Sequence, residues 1–432
     1  MKICIWIGII ATKKTYPAPD STDGLPSRKR PGRRAKPRFL AVDFFCGAGG
    51  TTRGLIDAGG FVIAGIDKVA NCRRTYVANN GNETLDRRYP AFLCKDIFPR
   101  DEDHPEGQQE EIFAELDILI AEARQMAPGV PMVFAICAPC QPFTTLHSSD
   151  FKDARAAKRK KDRSLLAHAH RFVARYRPEY VLSENVAGIS STRFGGIWQD
   201  FEARLRDNYA TGSRVVCASK FGIAQRRRRS ILAAVRRDLF NGMAPVALDI
   251  PDSDPAAEML SVEAALRGLP ALSAGETHPE VPNHIARGMN ALNAKRIRYA
   301  PAGGSNAYLE NTPEGDLSLN CHRKVNGKFG QRCFGDTYTR MDPKAPSPTI
   351  TTRCHSFTNG RYGHHDVNQI RCISMREAAR LQSFQDDYVF YPREHLTPVA
   401  QQIGNAVPPK LAAFFATQLT QGRLAASQER LI

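Results

Sequence analysis

Four short stretches of this chain carry residue types that could do chemistry together. Ile136–Phe143 reads ICAPCQPF and follows an apolar run, with Cys137 and Cys140 in a C-x-x-C spacing. Such a pair could be a redox couple, half of a zinc site, or one nucleophile with an incidental neighbour. Zinc takes about four ligands, and no second C-x-x-C or close His pair stands at the usual separation, so no metal site is expected. A redox couple would open a helix, whereas Pro142 follows almost at once. A nucleophilic Cys140 held in a Pro-Cys-Gln-Pro turn is the favoured reading. Ser183–Val186, SENV, ends another apolar run and offers Glu184, either a solvated carboxylate or, beside a nucleophile, a general acid/base. In Gln225–Arg229, QRRRR, an extended backbone would send Gln225, Arg227 and Arg229 to one face. Such a run is a solvated ridge, a phosphate-facing one, or a set of cations favouring a Cys140 thiolate. Asp43–Gly50, DFFCGAGG, lies between an apolar run and a helical pattern, and Gly47, Gly49 and Gly50 permit a tight turn and close approach of a ligand. The next apolar run ends in Asp67, placed to bond ribose hydroxyls. Neither GxGxxG nor GxxxxGK[ST] occurs, so an adenosine-type cofactor is expected without pyrophosphate recognition.

The elements that must position these residues alternate. FLAVDFF, FVIAGID, PMVFAIC and YVLSENV read as strands, while GTTRGLIDAG and SLLAHAHRFVARY carry apolar residues at helical spacing. The pattern predicts an α/β fold with a doubly wound, mostly parallel sheet over residues 38–237. Residues 1–37 read as a disordered basic arm, and the counts over 1–38 give ten basic residues against two acids, net +8. Beyond Arg237, Gly, Pro, Asn and Ser become frequent until SMREAARLQSF, a short helix near 374–384. A second, smaller, loop-rich domain is therefore expected over 238–397, with 398–432 as a C-terminal segment. Residues 238–286 hold eight acids and one Arg, net −7, and 287–344 hold ten basic residues and five acids, net +5. The basic half, with AKRIRYAPAGGSN and HRKVNGKFGQR, is the better candidate for touching phosphates.

The 432 residues carry 60 Lys+Arg against 44 Asp+Glu, net +16, which favours a polyanionic partner without separating nucleic acid from a membrane surface. A 42% hydrophobic content excludes collagen-like, coiled-coil and wholly disordered chains. Eleven cysteines without an even, close spacing suggest a reducing compartment rather than a secreted disulfide scaffold. The apolar Ile3–Ile10 is too short to span a bilayer, and a cytoplasmic protein without a membrane partner is expected.

DFFCGAGG, PCQPF, ENV, QRRRR, REAARLQSF at Arg376–Phe384 and QIGNAVPP at Gln402–Pro409 occur in the order found in the cytosine-C5 DNA methyltransferases, which this chain resembles over about residues 38–415. The resemblance implies a Rossmann-like S-adenosylmethionine-dependent methyltransferase fold, a target-recognition region whose variable part is about 238–345, and a DNA (cytosine-5-)-methyltransferase. It implies Cys140 as nucleophile on a flipped cytosine, with Glu184, Gln225, Arg227 and Arg229 as the other catalytic residues. S-adenosylmethionine would be lined by Phe45, Gly47, Gly49, Asp67, Asp96, Ile97 and Pro139, and closed by Asn405 and Val407. Asp67 stands where the family more often has glutamate, and the additional Arg226 and Arg228 would face phosphates. The basic stretch after Cys140, including Lys158–Lys161, would close over double-stranded DNA. A monomer is expected, with a cognate restriction endonuclease a possible partner. An RNA cytosine methyltransferase of the same fold and a non-catalytic DNA-binding protein are the alternatives, disfavoured by the long variable region and by the intact Cys140 and Glu184.

Overall fold

The computed structural model describes residues 36–81, 89–139, 164–191, 196–240, 247–319, 324–325, 328–329 and 335–424. Seven strands form one sheet: β1 Phe39–Phe44, β2 Gly60–Ile66, β3 Ala91–Leu93, β4 Met132–Ile136, β5 Tyr180–Val186, β6 Tyr209–Cys217 and β7 Arg228–Arg236. Their order is β3-β2-β1-β4-β5-β7-β6, and only β7 runs antiparallel to its neighbours. Every residue of β1, β2 and β4 is buried, as expected of strands covered on both faces. Helices α1 Gly50–Asp57, α2 Arg73–Asn80, α3 Gln109–Met126, α4 Leu165–Tyr176 and α5 Ile197–Arg206 make the crossovers. The doubly wound, mostly parallel sheet read from the sequence is thus the observed one.

This topology gathers the chemistry at one edge. β1, β2, β4 and β5 are parallel, so the Gly-rich turn, Asp67, the segment after Ile136 and Glu184 all lie toward their carboxyl ends. Strand β7 runs the other way, so it is its first residues that reach this edge: Arg229 pairs with Val186 and Ile231 with Glu184.

Beyond Arg237 the chain forms α6 Val262–Leu266, α7 Ala291–Tyr299, α8 Met375–Leu381, α9 Leu396–Asn405 and α10 Pro409–Thr420. Ser374 caps α8 in a capping box, accepting from Glu377 N at 3.1 Å while Glu377 Oε2 accepts from Ser374 N at 2.7 Å. The loops here have little regular backbone pairing, and buried arginines take over that role. Arg340, fully buried, donates to the carbonyls of Ile297, His364, Asp366, Val367 and Gln369. Arg376, also fully buried, donates to Pro282, Gln385 and Tyr388. Arg371 forms a fork with Glu377 at 2.7 and 2.8 Å. Each satisfies carbonyls that would otherwise be buried without a donor.

The basic 287–344 segment is less available to phosphates than its composition suggests. Arg296 is buried against Leu317 O, Lys295 pairs with Glu314 at 2.5 Å, and Arg340 is internal. Most of HRKVNGKFGQR lies outside the described residues.

The carboxyl-terminal helix returns to the Gly-rich turn. A methyl group on Gly54 would meet Pro409 O and lie 2.6 Å from Ala412 Cβ, and one on Gly50 would meet Val407 O, so α1 and the 406–413 segment touch backbone to backbone. Helix α2 is tied to residues 388–391: Asn79 accepts from Val389 N at 2.7 Å and donates to Val389 O at 2.8 Å, and Thr75 Oγ1 accepts from Tyr391 N at 2.9 Å.

Candidate active site

Leaving β1, the chain turns through Phe45, Gly47 and Gly49 with φ of 62°, 51° and 93°. Gly49 has a second reason to lack a side chain, since a Cβ there would strike Asn80 Nδ2 and stand 2.8 Å from the Tyr388 hydroxyl. Asp67 holds the turn from β2: its Oδ2 accepts from Gly47 N at 2.9 Å and its Oδ1 from Val69 N at 2.8 Å. Burial raises the Asp67 carboxyl above its ordinary pKa, against the lowering effect of these two bonds. Each oxygen keeps a further lone pair, so the carboxylate can hold the turn and still accept from a ligand hydroxyl.

Asp96 follows β3. Its Oδ1 accepts from Phe98 N at 3.3 Å and its Oδ2 pairs with Lys68 Nζ at 3.3 Å. Ile97 points its side chain into the sheet core, only 4% exposed, and Gln109 Nε2 donates to its carbonyl at 2.9 Å. Asn405 is exposed at the end of α9, Val407 is buried, and Pro139 is exposed as the last described residue before position 140.

Cys140 and the Lys158–Lys161 stretch lie outside the described residues. What precedes Cys140 is firmly held. Cys137 N donates to Phe44 O at 3.4 Å, Ser183 Oγ donates to Ile136 O, and Asn185 Nδ2 donates to Ala138 O at 3.0 Å. The SENV stretch therefore does two things: Ser183 and Asn185 fix the chain leading to Cys140, while Glu184 supplies the carboxylate. Neither of these positioning roles was read from the sequence, although the alternation along β5 would allow it. Burial pushes the Cys137 thiol well above its usual pKa, an effect the nearby Glu184 charge reinforces, which suits a structural cysteine.

Glu184 is 9% exposed and ion-paired through Oε1 to Arg229 Nε at 2.8 Å. The predicted alternation holds: Gln225, Arg227 and Arg229 are buried, and Arg226 and Arg228 are exposed. The three inward residues nonetheless divide. Only Arg229 reaches the carboxylate. Arg227 donates to Ile350 O, Gly404 O and Ala406 O, each at 3.2 Å. Gln225 accepts from Ile350 N at 3.0 Å and donates to Leu381 O and Gln382. Gln225 and Arg227 thus hold residues 350, 381–382 and 404–406 beside β7.

One residue of the Gly-rich motif carries more than the sequence reading gave it. Asp43 is fully buried, and its Oδ2 accepts from Thr52 Oγ1 at 2.6 Å. Burial raises its carboxyl to about 7, the Thr52 bonds opposing that rise. A folded value above the unfolded one means that stability is complete in acid and declines as pH climbs from about 4 to about 7. Asp43→Asn should therefore flatten the stability profile over this window, with a gain over wild type that grows to on the order of 4 kcal/mol above neutrality. Chemical denaturation at stepped pH reads this, and parallel profiles for the two proteins would contradict it.

A family model described as C-5 cytosine-specific DNA methylase matches residues 39–421. The type II methylase M.HgiDII of Herpetosiphon aurantiacus is 30% identical over 381 residues, covering 88% of this chain and 94% of its own. M.DdeI, a type II methyltransferase of Desulfomicrobium norvegicum, is 26% identical over 423 residues, covering 88% of each chain. Among solved structures, a prophage-encoded DNA modification methyltransferase from E. coli shares the fold with a TM-score of 0.56 at 22% identity, over 89% of this chain and 99% of its own.

Proposed function

Since this chain belongs to the C-5 cytosine-specific DNA methylases, enzymes that methylate cytosine C5 in DNA, we propose that Cys140 is its nucleophile, Glu184 its acid/base, and one short duplex sequence its target. The observation that carries the assignment is the buried Glu184–Arg229 pair, at the sheet edge where Ser183 and Asn185 anchor the segment running into Cys140.

Cytosine C5 is a weak nucleophile, and addition of the Cys140 sulfur at C6 makes it an electron-rich enamine carbon. Because C6 is unreachable inside a duplex, the base must be turned out, at a cost of a few kcal/mol. Glu184 holds the N3 edge and shares a proton with it, so that negative charge does not build on the ring as the S–C6 bond forms. Arg229 fixes the Glu184 carboxylate and keeps positive charge beside the ring. After C5 has taken its methyl group, a base takes the C5 proton, the C–H electron pair re-forms the C5–C6 double bond, and Cys140 leaves C6 as a thiolate, which restores the aromatic ring.

The Gly47–Gly49 turn and the Asp67 carboxylate fit S-adenosylmethionine: the turn leaves room for close backbone approach, and Asp67 retains lone pairs for ribose hydroxyls. Phe45, Asp96 and Pro139 would line the rest, with Asn405 and Val407 closing it and Ile97 contributing through its main chain. When bound there, the cofactor supplies an electrophilic methyl group. Arg227 also supports this site, by holding the 404–406 segment that leads into Val407.

Target choice is assigned to about residues 238–345 of a 238–397 recognition domain, and the exposed Arg226 and Arg228 to DNA phosphates. The relatives named as type II methylases support a modification role beside a restriction endonuclease. Bisulfite sequencing of a naive bacterial host expressing the gene tests this reading. Methylated cytosine confined to one short motif is expected, and unmodified DNA despite soluble protein would overturn it.

A further inference from the structure

We propose that the Tyr388 hydroxyl is a positioning group for the cofactor, holding the 48–49 peptide of the Gly-rich turn in the orientation that receives S-adenosylmethionine. The proposal rests on the reading of that turn as the cofactor site, and Tyr388 acts on it only through Ala48.

The turn cannot hold its own shape. Gly49 has φ of 93° and, as a glycine, can cross to negative φ at little cost, so hydrogen bonds must fix the peptide that joins it to Ala48. Both ends of that peptide are held. Gly49 N donates to Cys46 O at 2.8 Å, and Ala48 O accepts from the Tyr388 hydroxyl. The first bond lies within the turn, whereas the second comes from 340 positions further along the chain. Without the hydroxyl, the buried Ala48 carbonyl would lose this donor and the peptide would be free to rotate, reshaping the backbone that a ligand must approach. The hydroxyl also occupies the space that a Cβ on Gly49 would need, so the turn and the tyrosine fit as a pair.

Asn80 sets the direction of the Tyr388 proton. The Tyr76 carbonyl can only accept, so the Asn80 amide turns its Nδ2 toward it at 2.9 Å, and the same Nδ2 donates to the Tyr388 oxygen at 2.9 Å. The hydroxyl proton is thereby left for Ala48 O. Burial pushes the Tyr388 phenol well above its usual range, the Asn80 bond opposing that rise, so the group stays a donor at working pH. Tyr388 itself has little freedom. Its buried ring packs on Phe384 and Phe390 at centroid distances of 4.7 and 5.3 Å, and the following Val389 and Tyr391 are pinned to α2 by Asn79 and Thr75. Tyr388 thus falls within the 238–397 stretch assigned to target recognition, yet its polar end serves the cofactor turn. A tyrosine seated only for its ring would work equally well as phenylalanine, and this separates a positioning role from plain packing.

The test compares wild type, Tyr388→Phe, Asn80→Asp and Thr75→Val in the full-length protein. S-adenosylmethionine and S-adenosylhomocysteine are titrated by calorimetry, KM and kcat are measured for methyl transfer to genomic DNA of an unmodified host, and urea denaturation gives the stability of each protein. Tyr388→Phe should raise both Kd values and the cofactor KM about ten-fold, the order of effect of taking the donor from a buried acceptor, while kcat at saturating cofactor stays within about two-fold of wild type. Asn80→Asp should do likewise, because the carboxylate draws the Tyr388 proton away from Ala48. Thr75→Val loosens Tyr391 without touching the hydroxyl, so it should lose stability and keep wild-type cofactor affinity. Wild-type Kd values in Tyr388→Phe, at whatever stability, would overturn the positioning role. An equal weakening in Thr75→Val would overturn it too, by making the effect a general loosening. Wild type that binds neither compound would instead remove the cofactor reading on which the proposal rests.

Discussion

Glu184→Gln is expected to lower turnover at saturating DNA and cofactor by about 10²–10⁴-fold, the usual worth of a positioned acid/base. The amide keeps the size and planar shape of the carboxylate but cannot pass a proton to N3 or balance Arg229 at 2.8 Å. The loss should fall on kcat rather than on DNA affinity, because the carboxylate acts on a base already turned out of the helix. Arg229→Lys should show a milder form of the same defect, since a compact ammonium on a flexible stem cannot reproduce the planar guanidinium charge that lies 2.8 Å from Oε1. Single-turnover methyl transfer with each variant reads this directly, and an unchanged rate in the glutamine variant would remove Glu184 from the chemistry.

The second large effect concerns the region that follows the sheet. Glu377→Gln should destabilise the folded protein by about 3–5 kcal/mol, because it leaves the fully buried Arg371 without its counter-charge. The Arg371 bonds and the 3.5 Å approach of His364 hold the Glu377 carboxyl far below the usual carboxylate range despite complete burial. A depressed folded value means that the stabilisation is present above the unfolded carboxylate range and is lost as pH falls below it. Wild type should therefore lose stability steeply on acidification below about pH 4.5, whereas the glutamine variant, weaker at neutrality, should respond less. Urea denaturation at pH 7 and pH 4 measures both differences. Equal stability at pH 7 would show that this network does not hold the loops together.

The sequence disclosed the sheet because its signals are local. FLAVDFF and PMVFAIC are short apolar runs with turn residues on either side, and they became the buried β1 and β4. The alternation in QRRRR was legible for the same reason, since extended backbone sends every second side chain to the same face. What those inward side chains meet was not legible. The partners of Arg227 are carbonyls at positions 350, 404 and 406, brought beside it only by the path of the carboxyl-terminal chain. Arg340 and Arg376 were hidden by the same limit: a basic residue in a loop-rich stretch looks solvated until the carbonyls converging on it are known. Asp43 was in view inside the Gly-rich motif, yet its buried surroundings include Thr52 of α1, which bonds it, and Tyr76 of α2, which bonds Thr52. The common edge of three motifs was readable because DFFCGAGG, the stretch before Cys140 and SENV each follow or end a parallel strand, whereas QRRRR reaches the same edge by opening the antiparallel β7.

On the proposed mechanism Cys140 bonds covalently to C6 of a DNA cytosine and leaves only when the C5 proton is removed. Duplex DNA copied with 5-fluorocytosine in place of cytosine carries no such proton, so the protein should remain attached after methyl transfer. Incubation with this DNA and S-adenosylmethionine, followed by denaturing electrophoresis, should show a cofactor-dependent protein–DNA adduct that Cys140→Ser lacks. Absence of any adduct from protein that methylates ordinary DNA, or an equal adduct from Cys140→Ser, would contradict the account.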